Sequence, residues 1–573
     1  MRTFSLIMRF TEELGRILVE GWRRFVKAEM YFYLFLLILV IPNIILCYTE
    51  PLSLMAKICN VLLPFGVYYL VMTLSRNYGR TFWILFPVLF FGAFQIVLLF
   101  LYGQSVIAVD MFLNLITTNY GEAMELLDNL MPAITLVVLL YVPALIFATM
   151  SIIGKRKLSS VFLSRERPIA ILALIIGIFS LGISYLADKN YKPMTDLYPV
   201  NVCYNVYLAF QRDAKTCRYY QTSDSFTYQA KASHPLKERE VYVMVVGETA
   251  RSQNWALNGY DRPTNPELRK VKGLTSFTQA FTETNTTHKS VPMLLSPITA
   301  YNFDSIYYQK GIITAFKEAG FRTAFFSNQR YNNSLIDFLG KEADTWNFLK
   351  ERAINANHIV YDDELLELVS NELKSRDRKQ FIVLHTYGSH FNYKERYPSE
   401  MAFFKPDTPM DATAKNRNSL LNAYDNTIRY TDYFLARLIR LLNEEDMNAA
   451  LLYTSDHGED IYDDDRHLFL HASPIASSYQ LHVPFLIWMS DKYQQTYPES
   501  LKAVQANKVK RVSSSASFFQ TMLELGGIKT PYLNDSLSVT SHLYAGRPGV
   551  YLNDHNKACL LNEEQSNCNN TSR

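Results

Sequence analysis

Long apolar runs separated by short polar loops dominate the first third of the chain. Each run has about twenty residues, the length that an α-helix needs to cross the hydrocarbon core of a bilayer. None of them carries an unpaired charge at its centre. This repetition favours membrane helices over buried helices of a soluble protein or a cleaved signal peptide. The runs cover residues 30–48, 55–74, 82–102, 132–153 and 168–187.

Basic residues alternate between the loops that join these runs. Lys and Arg precede the first run and occur in the loops after the second and fourth runs, whereas the loops after the first and third contain neither. Basic loops remain in the cytoplasm, so we predict a cytoplasmic N-terminus and an outer location after residue 188. In bacteria this means an inner-membrane anchor and a periplasmic domain. The net charge of +3 over 573 residues gives no indication of a nucleic-acid partner.

The outer loop between the third and fourth runs contains a regular polar pattern. Asn114, Thr118 and Glu122 are spaced four residues apart, so on a helix they share one face. Spacing alone favours a solvated polar stripe. The alternative is a surface at the level of the lipid headgroups that holds the head of a phospholipid.

The remainder of the chain alternates apolar strands with amphipathic helices. Uninterrupted apolar runs are typical of strands that are buried on both faces of a parallel sheet, and the alternation predicts a doubly wound α/β domain. We therefore predict a five-helix transmembrane domain at 1–187, a linker with bridging helices at 188–237, and an α/β domain with a mostly parallel sheet between helices at 238–573. The strands are predicted at 241–246, 323–327, 380–385, 449–455 and 484–488.

Acidic and imidazole side chains follow three of these strands. Glu248 follows the first, His390 lies shortly after 380–385, and Asp456 and His457 directly follow 449–455. Taken singly, each has an ordinary explanation, because carboxylates cap helices and histidines occur in many surfaces and cores. Together they place carboxylate and imidazole groups at one sheet edge, where ligands of such folds gather. This is the ligand set of a zinc site.

A hydroxyl-rich stretch at 281–292 contains the candidate nucleophiles. Metal coordination lowers the pKa of a threonine hydroxyl and makes attack on phosphorus feasible. A helix N-terminus behind the threonine would further stabilise the negative charge. Spacing does not choose among Thr284, Thr286 and Thr287, and the alternative is an ordinary threonine-rich helix cap.

The segment after the first strand resembles the signature of the lipid A phosphoethanolamine transferases. This family includes the colistin-resistance enzymes and belongs to the alkaline phosphatase/sulfatase superfamily, whose α/β fold the resemblance implies. Matching segments run in the same order through the chain. They are Gly247-Glu248-Thr249-Ala250-Arg251, Asn254, Leu257, Asn258-Gly259-Tyr260, Arg262, Thr264-Asn265-Pro266, Thr287 with Pro292, Gly388-Ser389-His390, 393–398, 424–427, 455–459 and Phe469-Leu470-His471.

The resemblance assigns a role to each matching residue. It implies that Thr287 is the nucleophile, and that His390 and His471 contact the phosphoryl group or a second zinc ion. It also implies that the polar face at 114–122 meets the lipid substrate. The implied ligands of the catalytic zinc are Glu248, Thr287, Asp456 and His457.

The implied activity is transfer of phosphoethanolamine from phosphatidylethanolamine, through Thr287, to lipid A or another envelope glycan. One zinc ion is expected, or two, in a protein that we expect to be monomeric. Phosphoglycerol transferases and phosphodiesterases of the same superfamily are the nearest alternatives, although the 247–260 segment favours the first reading. A receptor without activity is the alternative of another class, and it would be expected to have lost metal ligands.

The chain also departs from the family pattern. Well-known members have a disulfide flanking the nucleophile, where this chain has Glu283 and Met293. This leaves the acceptor open. Cys203 with Cys217, and Cys559 with Cys568, are close enough in sequence to pair in an oxidising compartment, which does not establish that they do.

Overall fold

The computed structural model describes residues 27–103, 106–117, 120–189, 191–235, 238–351, 359–375, 377–444 and 447–561. The chain divides into two compact units. The first comprises Met1–Ala108 and Leu126–Leu208, and the second comprises Val109–Glu125 and Ala209–Arg573. The second unit therefore takes in the outer loop as well as most of the chain after the apolar runs.

Helices of at least seven residues are numbered along the chain. Among the residues that the structure describes, four helices are long and apolar enough to cross a membrane, and the bent pair formed by α3 and α4 makes a fifth if it is one span. The first seven helices are α1 (Ala28–Thr49), α2 (Leu54–Thr73), α3 (Tyr78–Ile84), α4 (Phe86–Tyr102), α5 (Val109–Thr117), α6 (Tyr120–Ile153) and α7 (Ser160–Ala187).

The third predicted helix differs from the single run expected at 82–102. It begins earlier and bends by 59° between α3 and α4. Leu85 has φ −82° and ψ 9°, outside the helical region, and Pro87 lies in the first turn of α4. Proline lacks an N–H and suits a helix start, so the chain restarts its helix here.

Two glycines allow close packing of α2 against α7 within the first unit. A Cβ atom on Gly66 would lie 2.6 Å from the Cα of Leu174, and one on Gly177 would lie 2.7 Å from the Cα of Leu63. Neither distance leaves space for a side chain. Small residues at such crossings let two helix backbones approach, which is typical of helix packing in membranes.

A seven-stranded sheet forms the centre of the second unit, in the order β2-β7-β6-β1-β5-β3-β4. The five strands from β6 to β4 are parallel, and β7 runs antiparallel to both of its neighbours. The mostly parallel sheet predicted from the sequence is confirmed. The strands are β1 (Glu240–Gly247), β2 (Leu274–Phe277), β3 (Arg322–Ser327), β4 (Thr345–Phe348), β5 (Lys379–His385), β6 (Asn448–Ser455) and β7 (Phe485–Met489).

Helices cover both faces of this sheet, and a hairpin of β8 (Val550–Leu552) and β9 (Ala558–Leu560) follows them. Alternate side chains of β1 enter opposite cores, Val243 and Val245 on one side and Met244 and Val246 on the other. Both sets are buried, which explains the continuous apolar run in the sequence. The other helices are α8 (Val200–Cys217), α9 (Thr287–Leu294), α10 (Ile312–Glu318), α11 (Leu365–Leu373), α12 (Arg417–Asn443), α13 (Pro498–Asn507) and α14 (Ser514–Leu525).

The pairing of Cys203 with Cys217 is wrong, because both residues are free thiols on the same helix, α8. A helix rises about 1.5 Å per residue, which separates them far beyond the reach of a disulfide. Cys559 is also free. Cys568 lies outside the described residues.

Candidate metal centre

Four side chains from three chain segments meet at the carboxyl edge of the sheet. Glu248 follows β1, Asp456 and His457 follow the neighbouring parallel strand β6, and Thr287 is the first residue of α9. The Thr287 hydroxyl lies 3.2 Å from Glu248 Oε1 and 3.0 Å from His457 Nε2. His457 Nε2 lies 3.2 Å from Asp456 Oδ2. The structure thus brings together the four residues matched to zinc ligands.

Two buried carboxylate oxygens in this cluster have no hydrogen-bond partner, Glu248 Oε2 and Asp456 Oδ2. Glu248 is 1% exposed, and Asp456 and His457 are completely buried. One ligand atom from each of these three residues lies within 4.8 Å of the other two. Burying an oxygen without a hydrogen-bond partner costs about 1–3 kcal/mol of folding free energy, and a charged oxygen costs more. A metal cation would supply the missing partner, so the residues fit one.

The electrostatics of the cluster agree with this donor set. Burial raises the pKa of Glu248 well above its usual value, and the neighbouring carboxylate of Asp456 raises it further. Burial likewise raises the pKa of Asp456, and it lowers the pKa of His457 well below its usual range. Two crowded acids beside a neutral imidazole form a site that a divalent cation stabilises.

Backbone groups orient the ligand atoms. Asp456 Oδ1 accepts hydrogen bonds from the amides of Thr249 at 3.0 Å and His457 at 2.7 Å, which leaves Oδ2 directed at the cluster. His457 Nδ1 lies 2.9 Å from the carbonyl oxygen of Gly458. Because a carbonyl only accepts, Nδ1 carries the proton, and the lone pair of Nε2 faces Thr287. Such partners around the ligands fix their orientation toward a metal.

The loop after β1 passes very close to the loop after β5. A Cβ atom on Gly388 would lie 2.5 Å from the carbonyl oxygen of Glu248, and Gly388 has φ +50°. Glycine meets both requirements. Arg251 holds the same loop from the other side by binding the Asp463 carboxylate at 2.5 Å and Asn254 Oδ1 at 2.5 Å. These contacts explain much of the signature that follows β1.

The three threonines of the 281–292 stretch differ in their surroundings. Thr287 faces Glu248 and His457, whereas the Thr284 and Thr286 hydroxyls lie 3.4 Å from each other. Thr287 also begins an eight-residue helix, so its amide belongs to the positive end of the helix. Of the three threonines, Thr287 is therefore the candidate nucleophile that this geometry favours.

His390 and His471 lie beside the cluster. The ring centre of His471 is 4.2 Å from that of His457 and 5.9 Å from that of His390. His390 Nδ1 lies 2.6 Å from the Phe391 carbonyl oxygen and must donate to it, so the neutral ring has no proton on Nε2. Burial lowers the pKa of His390 well below its usual value.

Glu459 is a functional candidate that the sequence reasoning did not single out. Its Oε2 lies 3.5 Å from His471 Nδ1, and the residue is completely buried. A carboxylate beside one ring nitrogen orients the imidazole. The only signal in the sequence was its place at the end of the 455–459 segment.

The predicted lipid face falls largely outside the described side chains. Asn114 lies in α5 and Glu122 in α6, but only their backbone is described. Thr118 lies outside the described residues. The spacing of Asn114, Thr118 and Glu122 therefore stays a prediction.

Glu283 occupies the place of a family cysteine and is buried. Its Oε1 accepts from Ser513 Oγ and its Oε2 accepts from the Ala300 amide, both at 2.6 Å. Both carboxylate oxygens therefore have donors, in contrast with Glu248. The side chain links the loop before Thr287 to two other segments without a disulfide.

Comparisons with known proteins agree with the fold. The family model described as Sulfatase matches residues 240–528, just over half of the chain. The phosphoethanolamine transferase EptA of Escherichia coli K12 is 32% identical over 305 residues, which cover 52% of this chain and 55% of that protein. The chain thus spans about half the length of this curated relative.

Two solved structures are similar. The integral membrane protein lipooligosaccharide phosphoethanolamine transferase A from Neisseria meningitidis covers 90% of this chain and 98% of its own, with 22% identity and a TM-score of 0.70. The periplasmic domain of EptC from Escherichia coli, in complex with zinc, covers 60% of this chain and 99% of its own, with 24% identity and a TM-score of 0.54. The apolar helices and the first match indicate a membrane protein with a soluble C-terminal domain. The resemblance found in the sequence is confirmed, and the chain belongs to the sulfatase family.

Proposed function

We propose that this protein is a zinc-dependent phosphoethanolamine transferase that modifies an envelope lipid or glycan. The observation that carries the proposal is the Thr287 hydroxyl, which lies within 3.2 Å of two members of a buried donor set whose carboxylates have partnerless oxygens. Similarity to proteins named phosphoethanolamine transferases supports the transferred group. The similar EptC domain in complex with zinc supports the metal.

The first half of the reaction forms a covalent intermediate. Thr287 Oγ1 attacks the phosphorus of phosphatidylethanolamine, a new oxygen–phosphorus bond forms, and the bond to the diacylglycerol oxygen breaks. The proton that Thr287 loses replaces the proton that the general acid gives to the diacylglycerol oxygen. Glu248, Asp456, His457 and Thr287 would hold a zinc ion, which supplies the positive charge that favours the ionised form of the threonine hydroxyl. The N-terminus of α9 adds its partial positive charge at the same place.

The leaving diacylglycerol oxygen needs a proton, and the geometry favours His471 over His390 as its source. The Glu459 carboxylate lies 3.5 Å from His471 Nδ1 and orients this ring, so we propose His471 as the general acid. The Nε2 atom of neutral His390 has no proton to give, because its proton is on Nδ1. His390 is therefore suited to accept a hydrogen bond from substrate.

The second half returns the enzyme to its starting state. An oxygen of the acceptor attacks the same phosphorus, and the Thr287 oxygen leaves with the proton that the acceptor loses. The Neisseria relative is named for transfer to lipooligosaccharide. Lipid A phosphate or another lipopolysaccharide group is accordingly the acceptor that we propose.

The proposed setting is the bacterial inner membrane, with the N-terminus in the cytoplasm and the catalytic domain in the periplasm. The alternating basic loops and the four or five candidate spans support this orientation. A donor that is itself a membrane lipid gives a reason for the anchor. Asn114, Thr118 and Glu122 are proposed to meet that donor.

Reconstitution with defined lipids tests the proposed donor and acceptor. The purified protein in vesicles of phosphatidylethanolamine and lipid A should release diacylglycerol and add phosphoethanolamine to lipid A, as read by lipid mass spectrometry. Vesicles with phosphatidylglycerol as the only phospholipid should give no transfer. Transfer of glycerol phosphate, or hydrolysis that is independent of acceptor, would replace this proposal by one of its superfamily rivals.

A further inference from the structure

Asp110, the second residue of α5, is buried among three basic side chains of the second unit. Its Oδ1 lies 2.8 Å from Arg212 Nη1 and 3.2 Å from His288 Nε2. Its Oδ2 lies 2.5 Å from Lys289 Nζ. Burial raises the pKa of Asp110, but Lys289 and His288 outweigh it and hold the pKa below its usual range. The carboxylate is therefore ionised at neutral pH.

Two of these partners directly follow the proposed nucleophile in the chain. His288 and Lys289 are the second and third residues of α9, which begins with Thr287. Lys289 is 1% exposed, so its charge depends on Asp110 for compensation. The Asp110 carboxylate thus binds the first turn of the helix that presents the Thr287 hydroxyl.

A second carboxylate fixes the start of α5 from outside the helix. The backbone amides of Val109 and Asp110 donate to the two oxygens of Asp554, at 2.8 and 3.0 Å. Asp554 lies in the turn between β8 and β9. Unsatisfied amides at a helix N-terminus are thereby capped by a distant part of the chain.

Arg212 completes this junction between segments. It donates to the carbonyl oxygen of Asp554 at 2.5 Å while it binds Asp110. Lys289 also reaches the carbonyl oxygen of Asn553 at 3.4 Å. Side chains from α8 and α9 therefore meet at the buried Asp110 carboxylate, and the β8–β9 turn binds both the start of α5 and two of these side chains. These contacts restrain α5 relative to α9.

We infer that Asp110 is a positioning residue that sets α5 against the first turn of α9, so that a phospholipid bound along α5 presents its phosphorus to Thr287. Asn114 follows Asp110 by four residues in α5, which is about one helical turn. The inference rests on the proposed function, because it names how the lipid donor reaches the nucleophile. Asp110 acts through His288 and Lys289 and does not itself react.

Asp110→Asn tests the inference with two donors. For phosphatidylethanolamine, the rate of Thr287 modification should fall about a hundred-fold, the scale of a small misplacement of a reacting group. For bis(p-nitrophenyl) phosphate, a small soluble diester that needs no lipid surface, the rate should change less than about three-fold. Equal losses with both donors, or a loss with neither, would overturn the inference.

Lys289→Met tests whether the effect passes through the contact. If it does, the double variant Asp110→Asn with Lys289→Met should lose no more lipid activity than the more impaired single variant. Losses that multiply would contradict the inference. Asp304→Asn is the matched control, because Asp304 is an exposed aspartate 3.9 Å from Lys215. It should leave both activities unchanged.

Hydrogen exchange makes the test independent of the donor. In Asp110→Asn, the amides of α5 should exchange at least about ten-fold faster, while those of β1 remain protected. Unchanged exchange in α5 would overturn the inference even if another lipid proves to be the donor. Wild-type protein that is never modified at Thr287 would instead contradict the proposed function. The positioning role of Asp110 would then be decided by the exchange rates of the α5 amides alone.

Discussion

A buried glutamate lies at each end of strand β1, and the two differ in their hydrogen-bond and charge partners. Glu240, its first residue, is buried, and its oxygens lie 2.8 Å from Lys379 Nζ and 3.1 Å from His234 Nδ1. Glu248 directly follows the strand, is equally buried, and has one oxygen without any partner. Its nearest charged neighbours include the like-charged Asp456.

This difference indicates that Glu240 has a structural role, whereas Glu248 is suited to bind a ligand. At the amino end of the strand, the lowered pKa of Glu240 reflects a carboxylate whose hydrogen bonds from His234 and Lys379 outweigh its burial. At the carboxyl end, the raised pKa of Glu248 reflects burial and repulsion by Asp456, which the hydrogen bonds from Thr249 and Thr287 do not outweigh. Binding of a metal cation would stabilise the second arrangement and is unnecessary for the first.

The largest expected effect is on activity, from substitution at the carboxyl end. Glu248→Gln removes one ligand and should lower both zinc content and transfer, the latter at least about a thousand-fold, because an unactivated hydroxyl is a weak nucleophile. Glu240→Gln is the matched control and should retain its zinc and most of its activity. Metal analysis and transfer assays on both variants test this difference. Loss of zinc and transfer in Glu240→Gln, with both retained in Glu248→Gln, would contradict it.

Stability should respond in the reverse order. Glu240→Gln leaves Lys379 buried without its anion and should reduce the free energy of unfolding by about 3 kcal/mol. Glu248→Gln removes one of two repelling acids, so metal-free protein should be no less stable than metal-free wild type. Thermal or denaturant unfolding in the presence of a chelator measures both. A stable Glu240→Gln protein would argue against the structural reading of that end.

Two histidine–glutamate pairs extend the same comparison: His234 with Glu240, and His471 with Glu459 near the metal-ligand candidates. His471→Gln should reduce transfer from phosphatidylethanolamine about a hundred-fold, because the leaving oxygen loses its proton source. The loss should nearly vanish for a nitrophenyl ester, whose leaving group needs no proton. His234→Gln, which alters the pair with Glu240, should change neither rate. An equal loss with both donors would contradict the acid role of His471.

The smallest expected effect is on the pH dependence of stability. The folded-state pKa of Glu240 is lowered from its ordinary value of 4.5, so its contribution is complete above that pH and is lost as the pH falls through the lower folded value. The difference in unfolding free energy between wild type and Glu240→Gln should therefore be constant near neutrality and shrink below about pH 4.5. A difference that persists at lower pH would mean that the charge of Glu240 is not its source.

Much of this architecture could be predicted from the sequence, since each feature had a local signal. The apolar run 241–246 predicted a buried parallel strand. Glu248 after that strand, His390 after 380–385, and Asp456 with His457 after 449–455 predicted a metal cluster at the sheet edge. The break at Leu85 could not be predicted, because Pro42 and Pro64 lie inside unbroken helices while Pro87 marks a restart. Proline alone does not decide between these outcomes.

Contacts between distant segments were the other part that the sequence did not reveal. Asp110 and Lys289 are far apart in the chain, and nothing in the sequence around either residue predicts that they form an ion pair. The same holds for Glu459 and His471, whose pairing depends on how two loops fold together. Only the tertiary structure shows which of the acidic residues form ion pairs with basic side chains.

The central claim is that the buried donor set activates Thr287, and peptide mass spectrometry tests it most directly. Zinc-loaded protein incubated with phosphatidylethanolamine should carry a phosphoethanolamine group on Thr287. Thr286→Ala should retain that group and Thr287→Ala should lose it, with zinc still bound through the other ligands. Modification at Thr284 or Thr286, or modification that persists in Thr287→Ala or after complete zinc removal, would contradict the account.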